Sequence, residues 1–236
     1  MKKYFFLAVP LFLLTGCVVN IQDSITGNGN VVRQTRDLPE FTGIKVSSGI
    51  DVILTQGTPQ RIEVEADENL QEWILTDVTG NVLNVHTDKS IRLAKTKKVY
   101  VTCANLDQIE ISSAGDVTAE TPFKTDNLRI EMSSAGDLKL DVEANEISIT
   151  ISSAGNAYLK GKTGALRADL SSAGDLNAYD LEAKKGDVSV SSAGSARVYV
   201  TEEASFRSSS AGDIDYKGDP KITEINTSSA GSVNKK

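Results

Sequence analysis

The sequence predicts an all-β protein, a parallel β-solenoid of 18–21-residue coils with a strand-and-hairpin cap near its N-terminal side. Two observations lead there. The tetrad Ser-Ser-Ala-Gly begins at Ser112, Ser133, Ser152, Ser171, Ser191, Ser209 and Ser228, at spacings of 21, 19, 19, 20, 18 and 19 residues. Apolar residues also alternate with polar ones on both sides of each tetrad. Ile109 and Ile111, Ile130 and Met132, Ile149 and Ile151 lead into it; Val117, Leu138 and Leu140, Leu176 and Ala178 lead out. Period-2 alternation marks strands with one buried face. A unit this short cannot bury its own face, so its neighbours must stack on it. Helical repeats would show a 3.6-residue period, a propeller blade needs about 40 residues, and the leucine-rich pattern is absent. At ~4.8 Å per rung, seven coils make a rod roughly 30–35 Å long. Right-handed winding is expected by analogy with β-helices.

In chain order, Met1-Lys2-Lys3 and the apolar run Tyr4–Leu14 form a basic start and a short hydrophobic region. Eleven residues are too few to cross a hydrocarbon core, which takes about 20, so the pattern is a secretory signal over 1–16. Leu14-Thr15-Gly16-Cys17 resembles the lipobox of bacterial lipoproteins. That resemblance implies cleavage before Cys17 and acylation of its thiol and new amino group, an anchor of about 0.8 kcal/mol per buried CH₂. Processing removes Lys2 and Lys3 and no acid, moving the formal charge from −7 to −9. Val18, in place of a retention Asp, favours the outer membrane. Residues 17–39 read as a polar, lipidated tether, and 40–236 as one domain.

Within that domain, 55–105 lacks the tetrad and reads as an irregular cap. Arg61–Glu65 alternates as a strand, Asp67–Ile74 suits a short helix with an Asp N-cap, Val78–Val82 reads as a hairpin turn, and Lys98–Cys103 as another strand. A cap of this kind hides a sheet edge that would otherwise template aggregation. The tetrads of 106–236 follow. Phase counting turns their second serines (Ser113, Ser134, Ser153, Ser172, Ser192, Ser210, Ser229) inward as a hydroxyl column. Gly115, Gly136, Gly155, Gly174, Gly194, Gly212 and Gly231 are then expected to supply positive φ at the turn. The Asp or Asn that follows (Asp116, Asp137, Asn156, Asp175, Asp213) would cap it. A calcium ladder is the alternative role for the Asp column, but Asn156 and Ser195 interrupt it and calcium wants six to eight oxygens.

The segment Phe41-Thr42-Gly43-Ile44-Lys45-Val46-Ser47-Ser48-Gly49-Ile50-Asp51-Val52-Ile53-Leu54-Thr55-Gln56-Gly57, then Arg61-Ile62-Glu63-Val64-Glu65-Ala66 and the repeated SSAGD, resembles the head GIN domain family. That family is described as auto-transporter adhesins and also as a domain of unknown function. The resemblance spans about residues 40–233. It implies an extracytoplasmic β-helix-type domain, often carried on lipoproteins, and brings no binding residues with it.

Composition limits the chemistry. A pI near 4.9 argues against nucleic acid, which needs a basic surface. One His and two Cys leave no disulfide framework and no Cys/His zinc site. His86 lacks a nominated serine partner, so an ordinary strand-surface role is the plainer reading. Cys103 falls on an apolar phase as a buried small hydrophobe, and Trp73 reads as a cap-packing anchor. Polysaccharide-active β-helix enzymes need a cleft walled by long loops, whereas coils this short predict a smooth rod. Tyr179 and Tyr199 share a position on adjacent rungs, with Tyr158 outward nearby, forming a strip suited to a glycan or protein. The reading is a lipid-anchored envelope protein, an adhesin-like contact module without catalysis or cofactor. A structural scaffold is its competitor and a polysaccharide-active enzyme the third choice.

Overall fold

The structure, a computed structural model, describes residues 24–236. The signal 1–16 and Cys17 lie outside the described residues. Strands β1 (Ser24–Thr26) and β2 (Val31–Arg36) come from the segment expected to be tether. β3 (Gly43–Val46) and β4 (Asp51–Gln56) form the first coil, joined by Ser47–Ile50. β5 (Arg61–Asp67), β6 (Ile74–Thr79), β7 (Val82–Thr87), β8 (Ser90–Leu93) and β9 (Lys97–Cys103) make up the cap. The cap is more regular than its sequence suggests: β7 runs parallel to β3 and β9 parallel to β4, adding a rung without a tetrad. Antiparallel strands then finish each face, β6 on β7 through the Gly80 hairpin, β5 on β9, and β2 on β5. β1 pairs with β8.

The predicted helix is a single 3-10 turn, Glu68–Leu70, and Asp67 makes no side-chain cap to it. Asp67 is buried and accepts instead from the backbone N–H groups of Gly29 (2.9 Å), Lys95 (3.0 Å) and Thr96 (3.4 Å). A carboxylate held by three N–H donors is well compensated for its burial, and here it fastens the β2 approach to the cap. Leu70 is the fully buried anchor of this turn; Trp73 is only half-buried, with the Lys89 ammonium 5.2 Å from its ring centroid.

The stack continues through β10 (Gln108–Ile111), β11 (Asp116–Ala119) and β12 (Phe123–Met132). In β13 (Asp137–Ile151), β14 (Asn156–Leu170), β15 (Asp175–Val190) and β16 (Ser195–Ser208) a whole coil is one strand bent in its middle. β17 (Asp213–Lys217), β18 (Lys221–Thr227) and β19 (Ser232–Lys235) complete it. The protein is thus an all-β solenoid of about seven turns and about 19 residues per coil. The apolar phases meet in register. Ile44, Ile109, Ile130, Ile149, Ala168, Val188, Phe206 and Ile225 form one column. Val52, Val117, Leu138, Ala157, Leu176, Ala196, Ile214 and Val233 form the facing one. Phe206 and Tyr216 stack across the core at 4.7 Å.

The tetrad corners overturn three expectations. Their second serines point outward: Ser113, Ser172, Ser192 and Ser210 are exposed, and no inward hydroxyl column exists. Those four serines, Ser229 and the alanines after Ser113, Ser192, Ser210 and Ser229 carry the left-handed backbone, at φ between 47° and 63°. The glycines do not. All but the half-buried Gly231 are buried, and a Cβ would strike the coil beneath: at Gly136 it would lie 2.4 Å from the Gly115 carbonyl oxygen, at Gly174 2.6 Å from Ile151 Cγ2, at Gly231 2.5 Å from the Ser208 carbonyl oxygen. In the divergent Ser47-Ser48-Gly49-Ile50 the glycine moves one place back and takes φ +63°. Buried Ile50 fills the inner position there, where no tetrad lies beneath. The Asp column, finally, bridges coils rather than capping its own turns. Asp116 Oδ1 accepts from the Asp137 N–H at 3.0 Å, Asp137 Oδ1 from Asn156 Nδ2 at 2.9 Å, and Asp213 from the Ser232 hydroxyl. Asn156 is therefore a partner in that ladder, not a gap in it.

Candidate functional site

Two outward surfaces adjoin along the rod. The first lies on the arm after the tetrad. Tyr158, 49% exposed, stands over a hollow of about 290 Å³ bordered by Lys139, Asp141, Lys160, Asn177 and Asp180. In-register pairing places Tyr158 between Lys139 and Asn177 on neighbouring rungs, and Lys160 Nζ holds Asp141 at 3.1 Å. Here the coils carry a bulge: the register slips between Tyr158 and Lys160, and again between Ala178 and Glu182. The extra residues lift the chain around Tyr179 and open the hollow.

Tyr179 and Tyr199 are not a free strip. Both are half-buried, and the Lys217 ammonium lies over the two rings, 5.5 and 4.8 Å from their centroids. Burial, with Asp215 nearby, raises the Tyr179 phenol above its ordinary pKa.

The second surface is a groove of about 1120 Å³ along the other corner of the coils, where the smooth rod expected from coil length gives way. Inward residues there lose their even spacing: Val142 and Ile147 are both buried, five positions apart, so the chain must turn between them. Four side chains in register run along the groove, Lys124, Glu143, Lys162 and Glu182, alternating in sign from rung to rung. Lys124 and Glu143 pair at 3.0 Å, and Asn145 Nδ2 donates to Asp126 Oδ1 at 3.1 Å. In this column a lysine separates the two glutamates, so no two carboxylates occupy adjacent rungs as an acid–base pair.

The remaining candidates fall elsewhere. His86 is on β7, with Nδ1 3.7 Å from Asp77 and Nε2 3.7 Å from Asp88, both too long for hydrogen bonds. His86 and Ser47 both border a hollow of about 280 Å³. Burial raises Asp51, with Asp116 on the next rung adding to the shift. Among the described residues no group of three or more His, Cys, Asp or Glu could hold a metal ion. Cys103 is buried and free.

The family model described as "Putative auto-transporter adhesin, head GIN domain" matches residues 40–220. The chain belongs to the head GIN domain family. Solved structures share the head GIN fold at 20–24% identity. A "putative adhesin" from Bacteroides fragilis superposes with a TM-score of 0.82, at 24% identity, covering 89% of this chain and 99% of that one. A "putative lipid binding protein" from Parabacteroides distasonis gives 0.75 at 22%, covering 90% and 99%. A "putative adhesin" from the same species gives 0.75 at 20%, covering 91% and 100%. No curated protein matches the sequence.

Within this head GIN domain, alternation in the sequence put Tyr158 outward, where it lies, and left the groove beside it unseen. The groove corner has no repeated motif, since Asp126 and Asn145 give way to Gly164 and then Lys184 on the following rungs. The odd spacing of inward residues, as from Val142 to Ile147, was the available signal.

Proposed function

We propose that this head GIN protein is a lipid-anchored contact module of the bacterial envelope that binds a glycan without catalysis. The observation carrying this reading is the Tyr158 hollow, with its polar rim of Asn177, Asp141 and Asp180, opening beside the long groove. Sugar rings present C–H faces that suit an exposed aromatic ring and hydroxyls that suit amides and carboxylates. The groove spans several coils, so an extended chain can continue from the hollow across the corner. The family description supports an adhesive role. The lipobox-like Leu14-Thr15-Gly16-Cys17 supports the anchor, on an outer-membrane lipoprotein.

A glycan array with the mature protein tests the contact. Tyr158→Ala is expected to lower retention at least about tenfold, the scale of one lost aromatic contact. Tyr179→Ala and Tyr199→Ala, already covered by Lys217, are expected to change it little. Equal binding by Tyr158→Ala and wild type overturns the site. For the anchor, Cys17→Ala should accumulate as precursor without palmitate label, and normal labelling of that variant refutes it.

A further inference from the structure

The two ends of the stack differ. At the cap end the core is closed over by Leu70, Phe41 and Ile74, and β2 is engaged by Gln71, whose Nε2 donates to the Val32 carbonyl at 3.0 Å. At the other end every residue of β18 is exposed. Ile225, 52% exposed, ends the apolar column above Phe206 with no rung above it among the described residues, and Ile222 is 36% exposed beside it. A long edge with free N–H and C=O groups and uncovered isoleucines is a template for another strand.

We propose that this end is a homodimer interface, in which β18 pairs antiparallel with β18 of a second copy about a two-fold axis. The strand's own side chains select that occupant. A bulge at Thr223 turns Ile222 and Ile225 to the same inner face, with Lys221, Glu224 and Asn226 outward. The antiparallel register that sets Ile222 against Ile225 of the copy also sets Lys221 against Asn226. Lys221 then lies diagonal to Glu224 of the copy, within reach of an ion pair. The two-fold repeats each contact. Around them the rim mixes signs, Lys236 with Asp215 at 3.2 Å and Lys235 with Asp219, so it does not repel its own copy. Lys221 at the edge disfavours neutral or basic strands by forcing its charge to be desolvated, and Glu224 of a second copy, which also pairs with its own Arg207 at 3.1 Å, lowers that cost. A two-fold contact uses the same surface on both copies, so pairing stops at two and yields no filament.

Sedimentation velocity of the mature protein in detergent, from about 1 to 100 μM, reads the assembly. Wild type is expected to pass from monomer to dimer. Lys221→Glu should shift the midpoint at least about tenfold toward monomer, and the swap Lys221→Glu with Glu224→Lys should restore it. The double variant Lys221→Cys with Asn226→Cys should give disulfide-linked dimers on mild oxidation; within one strand these positions are about 17 Å apart, too far to join. A monomer throughout the range, a dimer indifferent to Lys221→Glu, or concentration-dependent growth beyond two each overturns the proposal. Glycan retention by Tyr158→Ala is read separately, so either proposal can fail alone.

Discussion

Replacing Gly136 with Ala is the sharpest test of how the corners work. Gly136 is not at positive φ, so alanine meets no backbone strain there and gains about 0.4–1 kcal/mol from a stiffer unfolded chain. Against this, its Cβ would sit 2.4 Å from the Gly115 carbonyl oxygen and 2.7 Å from Ile111 Cγ2. Backbone must move, and overpacking of this kind costs about 1–3 kcal/mol. Moving the corner also loosens the bond in which the Gly136 carbonyl accepts from the Asn156 N–H at 3.1 Å, worth about 1 kcal/mol. The net expectation is a loss of about 2–3 kcal/mol, or roughly 4–10 °C in Tm for a chain of this size. Ala114→Gly, one coil below, should act oppositely. Ala114 has φ 59°, and relieving a left-handed alanine returns about 1–2 kcal/mol, less the entropy that glycine adds to the unfolded chain. The assay is thermal and urea unfolding followed by circular dichroism on both variants. If Gly136→Ala is neutral and Ala114→Gly is destabilising, the glycine is the turn former after all and the close-approach account fails.

Two further outcomes follow from burial. Asp67→Asn should cost about 2–3 kcal/mol in urea unfolding, because the amide offers one acceptor oxygen to three N–H donors and adds unpaired donors of its own; an unchanged midpoint would remove the staple from the account. Burial pushes the Cys103 thiol up to about 11 from 9.0. The folded chain therefore keeps its proton while the unfolded chain releases it, so this contribution is complete below about pH 9 and is lost as pH rises through about 11. Its size is about 2–3 kcal/mol, and the alkaline slope should shrink by that amount in Cys103→Ala. At pH 8 the native thiol should resist iodoacetamide at least about a hundredfold better than the urea-unfolded one.

What the sequence disclosed is what stacking repeats. Columns such as Ile109–Ile130–Ile149 and Val117–Leu138–Ala157 are legible because every rung faces the same neighbours, so one phase count serves the whole rod. Local conformational preference misled at the tetrads. Glycine is the usual residue at positive φ, but here its lack of a side chain serves contact between coils, and Ser113 and Ala114 accept the left-handed backbone. The rung made by β7 and β9 was hidden because its corner is replaced by the excursion through β8 to β1. The strands of residues 24–36 were hidden because polar β2 is exposed along most of its length and is held by a strand whose paired residues lie 26 to 36 positions away. The Tyr158 hollow depends on a register slip, and alternation alone does not show on which rung a slip occurs.

The in-register stack also sets how this rod can change length in evolution. One residue inserted into an arm such as Leu138–Val142 would turn the following side chains inside out. A whole coil inserted between two tetrads meets the same columns above and below, and adds about 4.8 Å of length. Duplications of 18–21 residues are therefore nearly invisible to the neighbouring rungs, while smaller ones survive only as bulges like those on β15 and β16. Reach is thus a discrete inherited quantity, adjustable rung by rung without redesigning the cap.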